Sequence, residues 1–252
     1  MEKYFSINED GCSIRCKIYR ADAANPRQVV LYGHGFGGHK DNRAAAKFAE
    51  RFLSKRRDGA VVTFDLPCHG EDGRKKLTLE ECDQYITLLL RYIRSQLQAE
   101  EICLYATSFG GYLFLKYISE HGSPFRRIAL RCPAVDMYNT VMDRILSDED
   151  HQKLAKGKPV LAGFDSKVKN DQAFLDELKA ADITARDFTD YADDILIIMG
   201  TKDEILSKEA VSESADNNVI VLGWAENADH RFSDPRIMDL AISRIIMFFI
   251  TE

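Results

Sequence analysis

The sequence predicts an α/β fold in which a mostly parallel sheet is covered on both faces by helices. Short apolar runs alternate with longer amphipathic ones along the 252 residues, which is the pattern of repeated strand–helix–strand units. Most of the short runs are rich in branched side chains, as buried parallel strands require. No internal repeat or linker divides the chain, so we expect a single domain spanning residues 1–252.

Six strands and five helices follow from this alternation. The first twenty residues predict an antiparallel hairpin at the sheet edge, with a turn at residues 9–11. One strand, at 127–131, is more mixed at its ends than the other five, whose composition suits strands covered on both faces. The predicted strands are 29–32, 61–64, 102–105, 127–131, 195–199 and 219–222, and the predicted helices are about 42–56, 78–98, 109–120, 204–212 and 235–250.

One stretch, residues 134–191, interrupts the alternation. It contains several helical segments and no clear strand, although structureless loops inside compact domains rarely exceed about 15 residues. It follows a strand of the sheet, on the side where the carboxyl ends of the strands present a site. We therefore predict that a small helical cap is inserted there.

Charge and composition exclude several classes of function. A net charge of −6 and a pI near 5.6 argue against a nucleic-acid partner or an anionic membrane surface. No apolar run approaches the ~18 residues of a membrane span, and the amino terminus lacks a signal-peptide pattern. The six cysteines form neither a C-x-x-C pair nor a zinc cluster, so we expect reduced thiols, no metal or cofactor, and a cytoplasmic location. The oligomeric state is not specified by these features.

The segment Ala-Thr-Ser-Phe-Gly at 106–110 joins a predicted strand to a predicted helix. A serine on such a sharp turn holds its hydroxyl clear of the sheet, provided that small residues stand two before and two after it. Ala106 and Gly110 meet this requirement, which makes Ser108 a candidate nucleophile. The alternative is that Ser108 caps the helix, since serine is a preferred N-cap residue.

A nucleophilic serine needs a base and an acid that orients the base. His230 lies on a short loop between the last predicted strand and the last helix, so it can reach a nucleophile at the same edge of the sheet. Asp203 follows the preceding strand and is the candidate acid, with helix capping as its alternative role. Glu204 and Asp229 are weaker candidates, because Glu204 falls in the first turn of a predicted helix and Asp229 directly adjoins His230.

Acyl transfer also needs hydrogen-bond donors for the developing oxyanion. The expected donors are the backbone N–H groups of Phe109, directly after the serine, and of Phe36, within the run His-Gly-Phe-Gly-Gly at 34–38. This run lacks the G-x-G-x-x-G spacing and the Lys-Ser/Thr of a P-loop, which argues against a dinucleotide or phosphate turn. A second loop, at 65–73, contains His69, which we interpret as a structural residue that shapes the sheet edge.

In this order the motifs resemble those of the α/β-hydrolases. More narrowly they resemble the small cytosolic serine esterases of the cinnamoyl/feruloyl esterase and monoacylglycerol-lipase-like group. The motifs span positions 34–232, and the tail Ala-Asp-His-Arg-Phe-Ser-Asp at 228–234 is similar to the segment around the catalytic histidine of those esterases. The resemblance implies the α/β-hydrolase fold, with Ser108 as nucleophile, Asp203 as acid and His230 as general base.

The resemblance also implies that the amides of Phe36 and Phe109 form the oxyanion hole. Two positions depart from the family pattern. Ala106 replaces the first glycine of the nucleophile turn, and Cys68 stands where relatives have glycine. The predicted cap shows no recognisable signature, so the substrate is not implied by the resemblance.

The resulting hypothesis is a serine hydrolase that cleaves a small-molecule carboxylic ester with a small-to-medium acyl or aryl group. The same triad serves thioester, amide or carbon–carbon cleavage, and a non-catalytic ligand receptor on the same fold is a further alternative. His34, Gly35, Tyr138 and Phe164 are the expected substrate-binding residues. Apolar side chains of the cap either line the pocket or pack the cap itself, and they are Met137, Tyr138, Leu161, Phe164 and Phe174.

Overall fold

A central eight-stranded sheet organises the protein. Its structure, a computed structural model, describes residues 1–21, 25–72, 76–163 and 166–251. The strands in the described residues are β1 Glu2–Glu9, β2 Cys12–Arg20, β3 Gln28–Gly33, β4 Gly59–Phe64, β5 Glu101–Ser108, β6 Arg127–Pro133, β7 Val160–Ala162, β8 Val168–Asn170, β9 Ile195–Gly200 and β10 Val221–Ala225. Eight of them pair in the order β1-β2-β4-β3-β5-β6-β9-β10, and β7 pairs with β8 separately.

The pairing confirms the predicted mostly parallel sheet. From β4 to β10 every neighbouring pair is parallel, whereas β1, β2 and β4 pair antiparallel. The β1–β2 hairpin lies at the edge, as predicted, and turns through Asp10 and Gly11, both with positive φ. Parallel strands need crossovers on the faces of the sheet, and the helices of the chain supply them.

The α-helices of the described residues begin at good capping positions. Asn42 Oδ1 accepts the Ala44 N–H at 2.8 Å, and Asp234 caps the last helix, where Pro235 takes the first position. These helices are α1 Arg43–Lys55, α2 Leu79–Ser95, α3 Phe109–His121, α4 Met137–Thr140, α5 Asp148–Ala155, α6 Gln172–Ala180, α7 Lys208–Asn217 and α8 Pro235–Ile250.

Helices cover both faces of the sheet. Successive strand residues point to opposite faces. On one face the Tyr105 ring lies 5.0 Å from Phe48 of α1, which in turn lies 6.1 Å from Phe249 of α8. On the other face Phe114 of α3 packs against Phe64 of β4 at 6.5 Å. Each such buried aromatic side chain stabilises the fold by about 1.5–3 kcal/mol.

Burial along the strands differs from prediction at two places. The strand predicted at 219–222 is β10, which lies at the outer edge and leaves Val221 56% and Trp224 46% exposed. The prediction that it is covered on both faces is wrong, because apolar composition does not reveal whether a strand has one neighbour or two. By contrast β6, which has the more mixed ends, is buried from Ile128 to Pro133.

The helix predicted at 204–212 begins later than expected. It is α7, Lys208–Asn217, and Ser207 caps it by accepting the Ala210 N–H at 3.0 Å. The preceding residues form a turn, because the N–H groups of Ile205 and Leu206 bond to a side chain of the adjacent loop instead of starting a helix.

The segment between β6 and β9 contains the predicted helices α4, α5 and α6, together with a π-helical turn at Val141–Ile145 and a 3₁₀ helix at Thr189–Asp194. The expectation of no strand is wrong, since β7 and β8 form a short antiparallel hairpin. Strands of three residues are too short to show a period of two in the sequence. Within the described residues, no helix is long and apolar enough to cross a membrane.

Candidate active site

Ser108 lies on a sharp turn between β5 and α3. Its backbone has φ 51° and ψ −120°, a left-handed conformation that costs a non-glycine residue about 1–3 kcal/mol. It occupies the N-cap position of α3, yet its side chain makes no capping hydrogen bond. The helix-cap alternative therefore lacks the contact that would support it, and the strained backbone presents the hydroxyl to its surroundings.

Small residues allow the turn to pack. A methyl group at Gly110 would stand 2.6 Å from the His34 carbonyl oxygen, so this position admits only glycine. Ala106, where the family pattern has glycine, faces Gly33 across β3 and β5. A methyl group at Gly33 would lie 3.3 Å from Ala106 Cβ. The missing side chain at Gly33 thus gives room to the extra methyl at Ala106.

Three predicted residues form one hydrogen-bonded line. His230 Nδ1 lies 2.8 Å from Asp203 Oδ2, and His230 Nε2 lies 3.1 Å from Ser108 Oγ. An ionised carboxylate only accepts hydrogen bonds, so Nδ1 carries the proton and Nε2 accepts the serine hydroxyl. This tautomer is the one in which imidazole can take a proton from serine.

The environment of Asp203 keeps its carboxylate charged. Burial opposes ionisation, but the hydrogen bond from His230 and the N–H of Leu206 outweigh it and hold the pKa of Asp203 below its ordinary value. Oδ1 accepts the N–H groups of Ile205 and Leu206, each at 2.9 Å. Asp203 thus shapes its own turn with one oxygen and holds His230 with the other.

The other two acid candidates bind elsewhere. Asp229 Oδ1 accepts the Ser233 N–H at 2.7 Å, within its own loop. Glu204 Oε2 accepts the backbone N–H of His230 at 3.3 Å and so contacts the main chain of that residue. Of the three carboxylates, Asp203 is the one whose printed contact is with the imidazole ring.

The loops that carry Asp203 and His230 cross closely at the ends of β9 and β10. Lys202 N–H donates to the Ala228 carbonyl at 2.9 Å. A methyl group at Gly200 would stand 2.4 Å from that same carbonyl oxygen, so glycine is required for the crossing. Backbone contacts therefore fix the distance between the acid and the base.

The glycine run after β3 passes beside the serine. A methyl group at Gly35 would lie 3.2 Å from Ser108 Cβ. The Gly35 carbonyl accepts the Gly38 N–H at 2.9 Å and faces His34 Nδ1 at 2.8 Å. The C=O and N–H of a trans peptide point in opposite directions, so these bonds also fix the orientation of the Phe36 N–H.

His34 has a different environment from the one predicted. It is fully buried, and its Nε2 accepts the Leu66 N–H at 3.1 Å, so Nδ1 carries the proton and donates to Gly35. Burial, with the nearby His69, lowers the pKa of His34 to about 3 and keeps the ring neutral. With both nitrogens bound to backbone, His34 orients the loop and offers no polar atom to a substrate.

His69 connects the two segments expected to supply the oxyanion donors. Its ring centroid lies 5.6 Å from that of Phe36 and 6.3 Å from that of Phe109. Nδ1 donates to the Pro67 carbonyl at 2.7 Å, and burial lowers the pKa of His69 to about 4. Cys68, which replaces a family glycine, has φ 64°, a backbone conformation that favours glycine.

The predicted cap residues have mixed positions. Met137 and Phe174 are buried in the core, whereas Leu161 is 66% exposed on β7. Tyr138 is partly buried, with Lys179 Nζ 5.7 Å from its ring centre. Phe164 lies outside the described residues.

Cys132 is a neighbour of the site that sequence reasoning assigned only to the core. Its Sγ lies within 4.8 Å of the carboxylate of Asp203 and of a ring nitrogen of His230. Such a trio could hold a metal ion only by replacing the hydrogen bond between His230 and Asp203. Its place after β6, the strand beside β9, was the one available signal of proximity to the acid.

Comparison with known protein families gives the chain its place. The model of a hydrolase family described as "Serine aminopeptidase, S33" matches residues 24–156, just over half of the chain. The chain belongs to this serine aminopeptidase family. No curated protein matches the sequence.

Solved structures show that this serine aminopeptidase family member has the α/β-hydrolase fold. A putative hydrolase from Agrobacterium vitis has a TM-score of 0.77 at 17% identity, covering 98% of this chain and 99% of its own. Est1E from Butyrivibrio proteoclasticus, with ferulic acid bound, has a TM-score of 0.75 at 18% identity, covering 98% of both chains. Mouse alpha/beta hydrolase domain-containing protein 10 has a TM-score of 0.70 at 15% identity, covering 96% of both. The predicted fold is confirmed.

Proposed function

We propose that this protein is a serine hydrolase that cleaves carboxylic esters through an acyl-enzyme, with Ser108 as nucleophile, His230 as general base and Asp203 as the orienting acid. The observation that carries the proposal is the continuous line from Asp203 Oδ2 to His230 Nδ1 at 2.8 Å and from Nε2 to Ser108 Oγ at 3.1 Å. These separations lie within the range for a nucleophile and its base. No metal or cofactor enters the proposed chemistry.

The first step acylates the serine. His230 Nε2 takes the hydroxyl proton as Ser108 Oγ attacks the ester carbonyl, and the amides of Phe36 and Phe109 hold the oxyanion that forms. The protonated imidazole then gives its proton to the alcohol oxygen as the carbon–oxygen bond breaks. The ionised Asp203 stabilises the imidazolium between these two transfers.

The second step releases the acid. Water loses a proton to His230 as it attacks the acyl-enzyme carbonyl, and the same amides hold the second oxyanion. Collapse of this intermediate returns the proton to Ser108 and frees the carboxylic acid. Preorganised donors of this kind contribute about 2.7–4 kcal/mol each to transition-state stabilisation.

We propose that the ester enters between the sheet edge and residues 134–191, which act as a cap within a single domain of residues 1–252. Gly35 and Tyr138 are retained as substrate contacts, Gly35 because of its closeness to Ser108. A small-to-medium acyl or aryl group is supported by the ferulic acid bound to Est1E, a protein of similar fold. The family description favours amide bonds as the second candidate.

A fluorophosphonate probe tests the nucleophile. We expect the protein to be labelled and the variant S108A to be unlabelled and inactive, while the melting temperatures stay similar. A panel of aryl and alkyl esters of increasing acyl length, with a matched anilide, then separates ester from amide cleavage. Equal labelling of S108A, or no hydrolysis of any member of the panel, would contradict the proposal and favour a ligand receptor.

A further inference from the structure

The inserted segment bonds directly to the loop expected to bind the oxyanion. Ser166, between β7 and β8, donates both its backbone N–H and its hydroxyl to the Gly37 carbonyl, at 2.8 and 2.9 Å. A methyl group at Gly163 would lie 3.6 Å from Gly37 Cα, so the β7–β8 turn also touches the loop. These contacts join residues that are 129 positions apart in the chain.

The loop has two kinds of anchor. Gly35, the residue before Phe36, is held from within by the Gly38 N–H and by His34. Gly37, the residue after Phe36, has φ 77° and is held from outside by Ser166. Because glycine explores many backbone conformations, a loop of this composition keeps one shape only where its carbonyl groups are bonded.

We propose that Ser166 is a positioning residue that fixes the Phe36 amide, so that the oxyanion hole is complete only when the β7–β8 hairpin is seated on the loop. This inference rests on the proposed function, because it assigns a role within that catalytic site. It couples substrate admission to chemistry, since displacement of the hairpin breaks both bonds to Gly37.

The other side of the oxyanion hole is also tied to the inserted segment. The Tyr112 hydroxyl donates to the Ala181 carbonyl at 2.9 Å, and the Tyr112 ring stacks on Phe109 at 6.0 Å. Glu177 of α6 accepts the Leu79 N–H at 2.8 Å, which holds α6 against the start of α2. Helix α6 is thus fixed to the body of the protein near Phe109, and the hairpin extends from it to the Phe36 side.

The test uses three single-serine variants of the full chain. S166A removes the hydroxyl donor and keeps the N–H, S166T restores a hydroxyl, and S147A removes a serine of the same segment that bonds only to Asp150 in the printed contacts. The measurements are kcat and KM for one aryl ester, and the inhibition constants of a trifluoromethyl ketone, which forms a tetrahedral adduct with serine, and of the carboxylic acid product. Melting temperatures report whether each variant folds.

We expect S166A to lower kcat about tenfold with KM within about twofold, and to weaken the trifluoromethyl ketone by a similar factor but not the acid, because the lost interaction acts on the tetrahedral state. S166T should recover most of the loss, and S147A should match the wild type. A kcat for S166A within twofold of wild type, or an equal loss in S147A, would overturn the inference. Either result with Ser108 still labelled by fluorophosphonate would leave the proposed function standing.

Discussion

The loops that carry Ser108, Asp203 and His230 are built very differently from the segment between β6 and β9. The first two follow β5 and β9, whose residues are almost all buried, and the crossing loops bond to one another through backbone. The inserted segment consists of short elements, of which α6, with nine residues, is the longest in the described part. Its hairpin exposes Leu161 and touches the body through a few polar contacts.

The difference separates chemistry from selection. Positions fixed by buried strands hold reacting atoms within a fraction of an ångström, which proton transfer and nucleophilic attack require. A segment with few buried contacts opens at lower free energy than the core does, and such segments commonly admit ligands. Variants at the site should therefore change rates greatly, whereas variants in the inserted segment should change them moderately.

The largest expected effect is at the acid. We expect D203N to lower kcat about 10⁴-fold without unfolding the protein, because the amide supports the wrong imidazole tautomer. Steady-state kinetics on an aryl ester measure it. The matched control is E204Q, since Glu204 contacts only the backbone of His230 among its printed bonds. E204Q should stay within a few-fold of wild type, and an equally large loss there would reassign the acid.

The next effect concerns the two small residues around Ser108. In G110A the new methyl would stand 2.6 Å from the His34 oxygen and 2.7 Å from that of Gly33. Backbone atoms cannot move aside easily, so we expect a loss of about 3 kcal/mol or more in unfolding free energy. A106G removes a buried methyl group and should cost about 1 kcal/mol. Urea unfolding measures both, and similar losses would show that the turn tolerates either residue.

The smallest effect is a pH dependence of stability. The pKa values of His34 and His69 are lowered by burial to about 3 and about 4, below the ordinary value near 6.5. Between pH 6.5 and about 4 the unfolded chain therefore binds protons that the folded chain excludes. Stability should fall as the pH falls through this window, by up to about 1.4 kcal/mol per pH unit for each histidine.

The variant H69N tests this assignment. Asparagine can still donate to the Pro67 carbonyl but does not titrate, so the slope of unfolding free energy between pH 6.5 and 4.5 should become shallower by one proton. Urea unfolding at several pH values gives the slope. If it is the same as in the wild type, groups other than His69 account for the acid sensitivity.

Sequence alone predicted the order of the sheet-edge motifs, because the carboxyl ends of parallel strands meet at one edge. That rule brought Ser108, Asp203 and His230 to one place without any side-chain information. The role of His34 was not predictable in the same way. Whether a histidine faces a ligand or the Gly35 carbonyl depends on the path of a neighbouring loop, here the one that presents Leu66.

The contacts of the inserted segment were also beyond prediction. The bonds from Ser166 to Gly37 depend on how the hairpin folds back over the body, and no local pattern encodes that direction. Burial of Cys132 was expected from its apolar run, but its closeness to Asp203 depends on the pairing of β6 with β9. Strand order in a sheet is a property of the whole chain, and it is the same information that was missing for β10.

The single tryptophan of the chain makes one corner of the molecule visible to fluorescence. Trp224 stands on the edge strand β10, paired with Met199, and is 46% exposed. The next residue, Ala225, bonds through its carbonyl to Thr201 and Ala228, where the acid and base loops leave the sheet. Emission from this indole, and its quenching by iodide or acrylamide, is therefore a one-residue spectroscopic reporter of the corner that holds Asp203 and His230 together.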